Sequence, residues 1–347
     1  MIQPESRIAI LLHEGITGDS GKTGLALIRF GDFPVVAVID YTCAGGSLAQ
    51  LAGIDQSIPI VASVAEALTY QPQVLAIGIA PSGGALPEAW RQEVKVAVGQ
   101  GLSIMNGLHT EMAQDPELQA LLWPGQWIWD IRREPTGLSV GTARARLLPC
   151  RRVLTVGTDM SVGKMSASLQ LHQAARQRGL KSKFLATGQT GIMLSGEGIP
   201  LDAIRVDFAA GAVEQLVMRY GYDHDILQIE GQGSLLNPAS TATLPLLRGC
   251  QPTHLILVHR VGQTTIKRME YVPIPPLPEV IALYESLARA AGAFAPAAVV
   301  GIALNTHHLD PAAADIAIAK VEEETGIPCT DVVRFGGDRL LDAILAI

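Results

Sequence analysis

One ten-residue stretch constrains this chain more than any other: Gly157-Thr158-Asp159-Met160-Ser161-Val162-Gly163-Lys164-Met165-Ser166. A β-branched run at 153–156 feeds into it, and a helical pattern over 166–178 leaves it. Strand, glycine loop ending in Gly-Lys, then helix is the layout of a phosphate-binding loop. Gly157 and Gly163 let the backbone curl so that several N–H groups face inward. Those donors and the helix N-terminus favour an anion, and Lys164 adds a full positive charge. Two features depart from the common Walker pattern. The glycines are six apart, and Met165 stands where Ser or Thr would bind Mg²⁺ through its hydroxyl. Ser166 comes one place late.

A chain of 347 residues is too long for one small core, so two domains are expected, 1–150 and 151–347. Its 48% hydrophobic and 17% charged residues suit a well-buried α/β protein, and the net charge of −7 argues against broad nucleic-acid binding. Cys43, Cys150, Cys250 and Cys329 form no C-x-x-C pair and read as reduced thiols. No signal-peptide pattern opens the chain, and no apolar run reaches the length of a membrane span. The expectation is a cytoplasmic homo-oligomer acting on a small molecule, with no nucleic-acid or membrane partner.

The first half alternates strand and helix. Strands are expected at 7–14, 34–41, 58–61, 74–80, 103–106 and 127–131, with helices at 63–70, 87–99 and 116–122. This alternation predicts a Rossmann-like, mostly parallel sheet. Residues 15–24 also end in Gly-Lys-Thr after a strand. They read either as a second phosphate loop or as a plain crossover turn. Asp40, at the end of the second strand, takes the place of a ribose-binding acid, but no G-x-G-x-x-G precedes it. Ser82, Gly83 and Gly84, between a strand and a helix, are positioned to present N–H groups to a substrate anion. His109, after another strand, is a candidate for acid–base work or a polar loop residue. Arg132 to Arg152 is a loop-rich boundary.

The second half repeats the alternation. Strands are expected at 153–156, 183–186, 204–207, 226–229, 255–259, 299–304 and 331–333. Helices are expected at 164–178, 209–220, 277–291, 311–325 and 338–347. Glu230 follows the 226–229 strand within Glu230-Gly231-Gln232-Gly233-Ser234. An acid at the end of a strand beside a phosphate loop is where Mg²⁺ or its water is held. Asp207, read as ending another strand, is a second metal candidate.

These motifs carry two resemblances. Residues 152–347 resemble the dethiobiotin synthetase branch of P-loop proteins. Its G-T-D-T-x-x-G-K-T loop is similar to 157–165, its E-G-A-G-G motif to 230–234, and its adenine-reading Asn to Asn305. The resemblance implies Mg²⁺ on Glu230. The catalytic lysine of that family falls on Ala186, so Thr187, Gln189 and Thr190 occupy the space with neutral hydrogen-bonding groups. Over nearly the whole chain the motifs at 80–84, 107–109, 157–165, 186–191 and 229–234 resemble domain-of-unknown-function family 1611. That resemblance implies a Rossmann-like N-terminal domain and a P-loop C-terminal domain. One branch, the DgcN type, is described as D-glutamate N-acetyltransferases using acetyl-CoA.

Three functions follow as expectations. The first is an N-acetyltransferase of a small amino acid, with coenzyme A phosphates on the loop and His109, Glu230 or Gln189 as base. The second is an ATP- and Mg²⁺-dependent ligase or kinase activating a carboxylate. The third is a nucleotide-binding regulator. In each, Gly157, Thr158, Asp159, Ser161, Val162, Gly163, Lys164, Met165, Ser166 and Asn305 form the cofactor site. Lys164, Glu230, His109, Gln189 and Thr187 are the catalytic candidates. Ser82, Gly83, Gly84 and Thr190 are the substrate-binding ones, and the two halves are expected to contribute to one composite site.

Overall fold

The structure, a computed structural model, describes residues 2–81 and 84–346. The chain divides into two compact units, Met1–Arg133 with Ile192–Pro200, and Glu134–Gly191 with Leu201–Ile347. The first break between the units lies at 133/134. The reason lies in Glu214, whose buried carboxylate accepts the Thr142 N–H at 2.9 Å, the Thr142 hydroxyl at 2.6 Å and the Arg144 N–H at 3.2 Å. These bonds hold the arginine-rich connector to the second unit.

The first unit carries β1 (Ile8–Leu11), β2 (Val35–Ile39), β3 (Ile60–Val61), β4 (Val74–Ile77), β5 (Ser103–Asn106) and β6 (Ile128–Asp130). They form one parallel sheet in the order β3-β2-β1-β4-β5-β6. β1 and β4 are entirely buried, which is why they read as unbroken apolar runs. The strand order reverses between β1 and β4, the position where open α/β sheets collect ligands.

The second unit carries β7 (Arg151–Gly157), β8 (Ser182–Leu185), β9 (Ile226–Ile229), β10 (His254–Arg260), the pair β11 (Thr265–Ile266) and β12 (Met269–Pro273), β13 (Ala298–Asn305) and β14 (Cys329–Thr330). Six of them form a second parallel sheet, β14-β13-β10-β7-β9-β8. β11 and β12 pair antiparallel as a separate hairpin. The helix Lys164–Gln177 packs its Ala167, Leu171, Ala174 and Ala175 on Val153, Ile226 and Ile256 of this sheet. Each fully buried Leu, Ile or Val contributes about 1.5–3 kcal/mol relative to exposure, so the helix start is anchored beneath the loop it follows. Both halves are thus α/β, the first Rossmann-like and the second with P-loop topology.

Two expected strands are not strands. Residues 204–207 lead into the helix Val206–Tyr220, with Asp207 exposed in its first turn. Asp207 does not end a strand, so the reason for treating it as a metal ligand disappears. Residues 331–333 are also helical. The Asp331 side chain caps the short helix Val332–Phe335 by accepting the Val333 and Arg334 N–H groups at 3.0 and 3.3 Å. A side-chain cap here outweighs the β-propensity of two valines. The helices Leu48–Ala52, Gln189–Ser195 and Thr243–Cys250 and the β11–β12 hairpin were not anticipated. Among the described residues, no helix is long and apolar enough to cross a membrane.

Candidate functional site

β7 is the strand from which the second sheet grows both ways, and the loop after it is the phosphate-loop candidate. Gly163 holds φ 119°, a conformation L side chains rarely adopt, and so turns the chain into the helix that starts at Lys164. Ser161 sits at φ 57°, unusual for a residue with a Cβ. The result is a cradle. Among the described residues, the backbone N–H groups of Ser161, Val162, Gly163, Met165 and Ser166 meet no acceptor. They stand at the positive end of a fourteen-residue helix, an arrangement that fits an anion. Lys164 is only 6% exposed, and its ammonium donates to the Asp159 carbonyl at 2.7 Å.

The loop is braced from several sides. The Asp159 carboxylate accepts the Met160 N–H (2.6 Å) and the Asn237 amide (2.7 Å) on Oδ1, and the Gln263 amide (2.7 Å) and Lys267 N–H (2.8 Å) on Oδ2. Asp159 is therefore a buried brace that ties in Gln263 before the β11–β12 hairpin and Lys267 in its turn, and its carboxylate is already committed. The Thr158 hydroxyl meets His259 Nδ1 at 2.9 Å, and burial pushes the His259 imidazole down to about 4, so the ring stays neutral at pH 7. Tyr284 donates to the Gly157 carbonyl at 2.7 Å and accepts the Leu235 N–H at 3.2 Å. Asn305 donates to the Val162 carbonyl at 2.9 Å, which places it against the loop.

Glu230 lies at the end of β9, 3% exposed. Its Oε2 accepts the N–H groups of Thr187 and Gly188 at 2.9 and 3.1 Å, and its Oε1 accepts the Gln232 amide at 3.1 Å. The Thr187 hydroxyl donates back to the Glu230 carbonyl at 2.7 Å. A Cβ on Gly191 would meet Glu230 Oε2 at 2.4 Å, so the 186–191 and 229–234 motifs interlock only with glycine there. Burial pushes the Glu230 carboxyl up to about 7, against the opposing pull of the Thr187 and Gly188 donors and the Lys164 charge. Thr187 is consequently a positioning residue rather than a donor facing outward. Thr190 is buried beside it in the chain, and Gln189 opens the helix Gln189–Ser195.

In the first unit, His109 is exposed and its backbone N–H donates to the Gly84 carbonyl at 2.8 Å. Ring and glycine are close enough that a Cβ on Gly84 would meet His109 Cδ2 at 2.2 Å. The two expected loops of this unit do meet. Ser82 and Gly83 lie outside the described residues. Asp40 is buried and spends its carboxylate on Glu14 N–H, Ile16 N–H and the Thr42 N–H and hydroxyl.

Asn237, Gln263, His259, Tyr284 and Arg260 went unnoticed in the sequence. Asn237 carried a signal, being in the same polar run as Glu230. The others sit on strand ends and a helix distant in the chain, and only the sheet brings them to the loop. Among the described residues, no group of three or more His, Cys, Asp or Glu side chains converges as a metal site.

A parallel sheet with an anion cradle after its central strand, and a buried Gly-Lys lysine within it, defines a P-loop protein. Family models sharpen that class. The DUF1611 C-terminal P-loop domain, a domain of unknown function, matches residues 139–341, and the DUF1611 N-terminal Rossmann-like domain matches residues 41–134. The chain belongs to the DUF1611 family. It is 64% identical to a DUF1611 family protein from Anabaena variabilis solved by crystallography, with a TM-score of 0.97 over 99% of this chain and 100% of that one. It is also 37% identical to a D-glutamate N-acetyltransferase of Tritonibacter scottomollicae, covering 81% of this chain and 84% of that protein. A D-glutamate N-acetyltransferase of a Pseudoalteromonas species is 34% identical, over 80% and 83% of the two chains.

Proposed function

We propose that this chain is an N-acetyltransferase that holds acetyl-CoA by its phosphates on residues 157–166 and acetylates the amino group of a small amino acid. D-Glutamate, the acceptor named for the two relatives, is the first to test. The observation that carries the reading is the pairing of an anion cradle with a buried carboxyl poised near neutrality. The cradle donors and Lys164 fit a diphosphate. The cofactor supplies an acyl thioester, already activated for attack by an amine.

Acetyl transfer forms the C–N bond and breaks the C–S bond, so the nitrogen gives up two protons, one before attack and one as the amide forms. The departing CoA thiolate takes up one, and this chain must accept the other. An amino acid arrives as an ammonium ion and attacks only as the amine. Glu230, with a carboxyl near 7, is matched to accept that proton at physiological pH. Its Oε2 is pinned by two N–H groups, which leaves Oε1, held among the described residues by the Gln232 amide, as the oxygen to receive it. Gln189, which opens the helix after Gly188, is the candidate to orient the acceptor.

An ATP-dependent ligase or kinase is the second reading. The Lys164–Glu230 arrangement favours it, because a nucleotide-bound Mg²⁺ keeps mostly water and phosphate ligands and needs few carboxylates. Met165 weighs against it, since it removes the hydroxyl that usually holds that ion. The deciding experiment incubates the purified protein with acetyl-CoA and D- or L-glutamate and follows free CoA together with product mass. The expected result is CoA release with N-acetyl-D-glutamate. ADP formation from ATP and a carboxylate, with no CoA released from acetyl-CoA, would replace the first reading by the second.

A further inference from the structure

Arg260 has no part in that proton transfer, yet it stands at the loop. It is the last residue of β10, and its Nη2 donates to the Ser161 carbonyl at 2.9 Å. Its Nε is buried with no hydrogen-bond partner, and among the described residues it pairs with no carboxylate. A cation held against an anion cradle without a counter-charge calls for an anionic group from a ligand.

The sheet indicates which end of the ligand that is. Arg260 and Asn305 are register partners on β10 and β13, and Asn305 also holds the Val162 carbonyl. Glu230 ends β9, on the opposite side of β7. A diphosphate over residues 161–166 therefore extends one end toward Glu230 and the other toward Arg260 and Asn305. If the reacting thioester lies at Glu230, the adenosine lies on the Arg260 side. The adenosine of CoA differs from that of ADP or ATP in carrying a 3′-phosphate. A guanidinium with an unused edge matches a phosphate in shape and charge.

We infer that Arg260 contacts the 3′-phosphate of CoA and makes the loop select CoA over ATP and ADP. This rests on acetyl-CoA being the loop's ligand, and the test separates the two. Affinities are measured by calorimetry for CoA, 3′-dephospho-CoA, ADP and adenosine 3′-phosphate 5′-diphosphate, on the wild type, Arg260→Ala and Arg260→Lys. The expected wild-type preference for each 3′-phosphorylated partner is roughly 10–100-fold. Arg260→Ala brings both ratios to near one, and Arg260→Lys keeps part of them. A merely structural role at Ser161 would weaken all four probes alike and leave the ratios intact, which overturns the inference. So does a wild type without preference. If neither CoA form binds while the ADP pair does, the acetyl-CoA reading fails, and the ratio within the ADP pair still decides the role of Arg260.

Discussion

Two glycine loops in this molecule, 15–23 and 157–166, each follow the strand from which their sheet grows, end in Gly-Lys and open a helix. They differ in their surroundings. In the first, the donors at its entry and exit are taken. Asp40 takes the Glu14 and Ile16 N–H groups, Gly15 N–H goes to the Leu12 carbonyl, and Gly24 N–H goes to the Gly78 carbonyl at 2.7 Å. The loop after β4 closes on it through Ala80 N–H to the Ser20 carbonyl at 2.7 Å. Lys22 is exposed. In the second, the carboxylate within the loop is turned away to hold Asn237 and Gln263, the donors stay available, and Lys164 is buried among them. The comparison shows that a Gly-Lys string marks a strand–helix turn, and that the surroundings decide how deeply its lysine is buried.

The largest expected effect tests this contrast directly. Lys164→Ala should weaken binding of CoA or ADP by roughly 100-fold without unfolding the chain, while Lys22→Ala leaves it unchanged. Calorimetry on both variants checks it, and equal losses would break the comparison.

The second test sets the carboxylates against each other. The raised Glu230 carboxyl means that the folded chain binds more protons than the unfolded chain between pH 4.5 and about 7. Stability therefore falls as pH rises through that window, and the whole penalty is present above it. Glu230→Gln removes the penalty. It should melt higher than wild type at pH 8, by an amount worth at most about 3 kcal/mol, with no gain near pH 4, and it should lose acetyl transfer. In the wild type, turnover should rise with pH through about 7 as the base deprotonates. Asp40→Asn should do the opposite to stability, costing about 1–3 kcal/mol with ligand affinity unaltered. Thermal melts across pH and calorimetry read both.

Smaller differences are expected at the glycines. A Cβ on Gly21 would lie 1.9 Å from the Gly15 carbonyl oxygen, so Gly21→Ala should lower the melting temperature. A Cβ on Gly163 meets nothing nearer than 3.7 Å, and the cost there is backbone strain at φ 119°, about 1–2 kcal/mol. Gly163→Ala should weaken phosphate binding more than it lowers the melt. The smallest effect belongs to Asn305→Ala, which should reduce preference for adenine over guanine nucleotides by a few-fold, about 1 kcal/mol. An unaltered preference would assign its amide to the Val162 carbonyl alone.

Much of the fold was legible. The 103–106 and 226–229 strands fall where their apolar runs place them, and the helix Pro311–Thr325 starts and stops as its Asp-Pro and Gly signals require. Local signals also misled. Val206 looked like strand, but it is 72% exposed at a helix start, where burial does not reward β-branching. The helix Gln189–Ser195 hid in a motif rich in Gly and Thr, residues of poor helix propensity.

By itself the sequence determined two α/β units, the place of the phosphate loop, and Glu230 as the acid beside it, because buried parallel strands and glycine turns are written in local pattern. Only the tertiary structure decided which of two similar loops buries its lysine. It alone turned Asp159 into a brace, raised the Glu230 carboxyl by burying it, and brought Arg260 to Ser161. The physical reason is the same in each case. Hydrogen-bond satisfaction, desolvation and charge pairing depend on neighbours that lie tens of residues away in the chain, which no local pattern encodes.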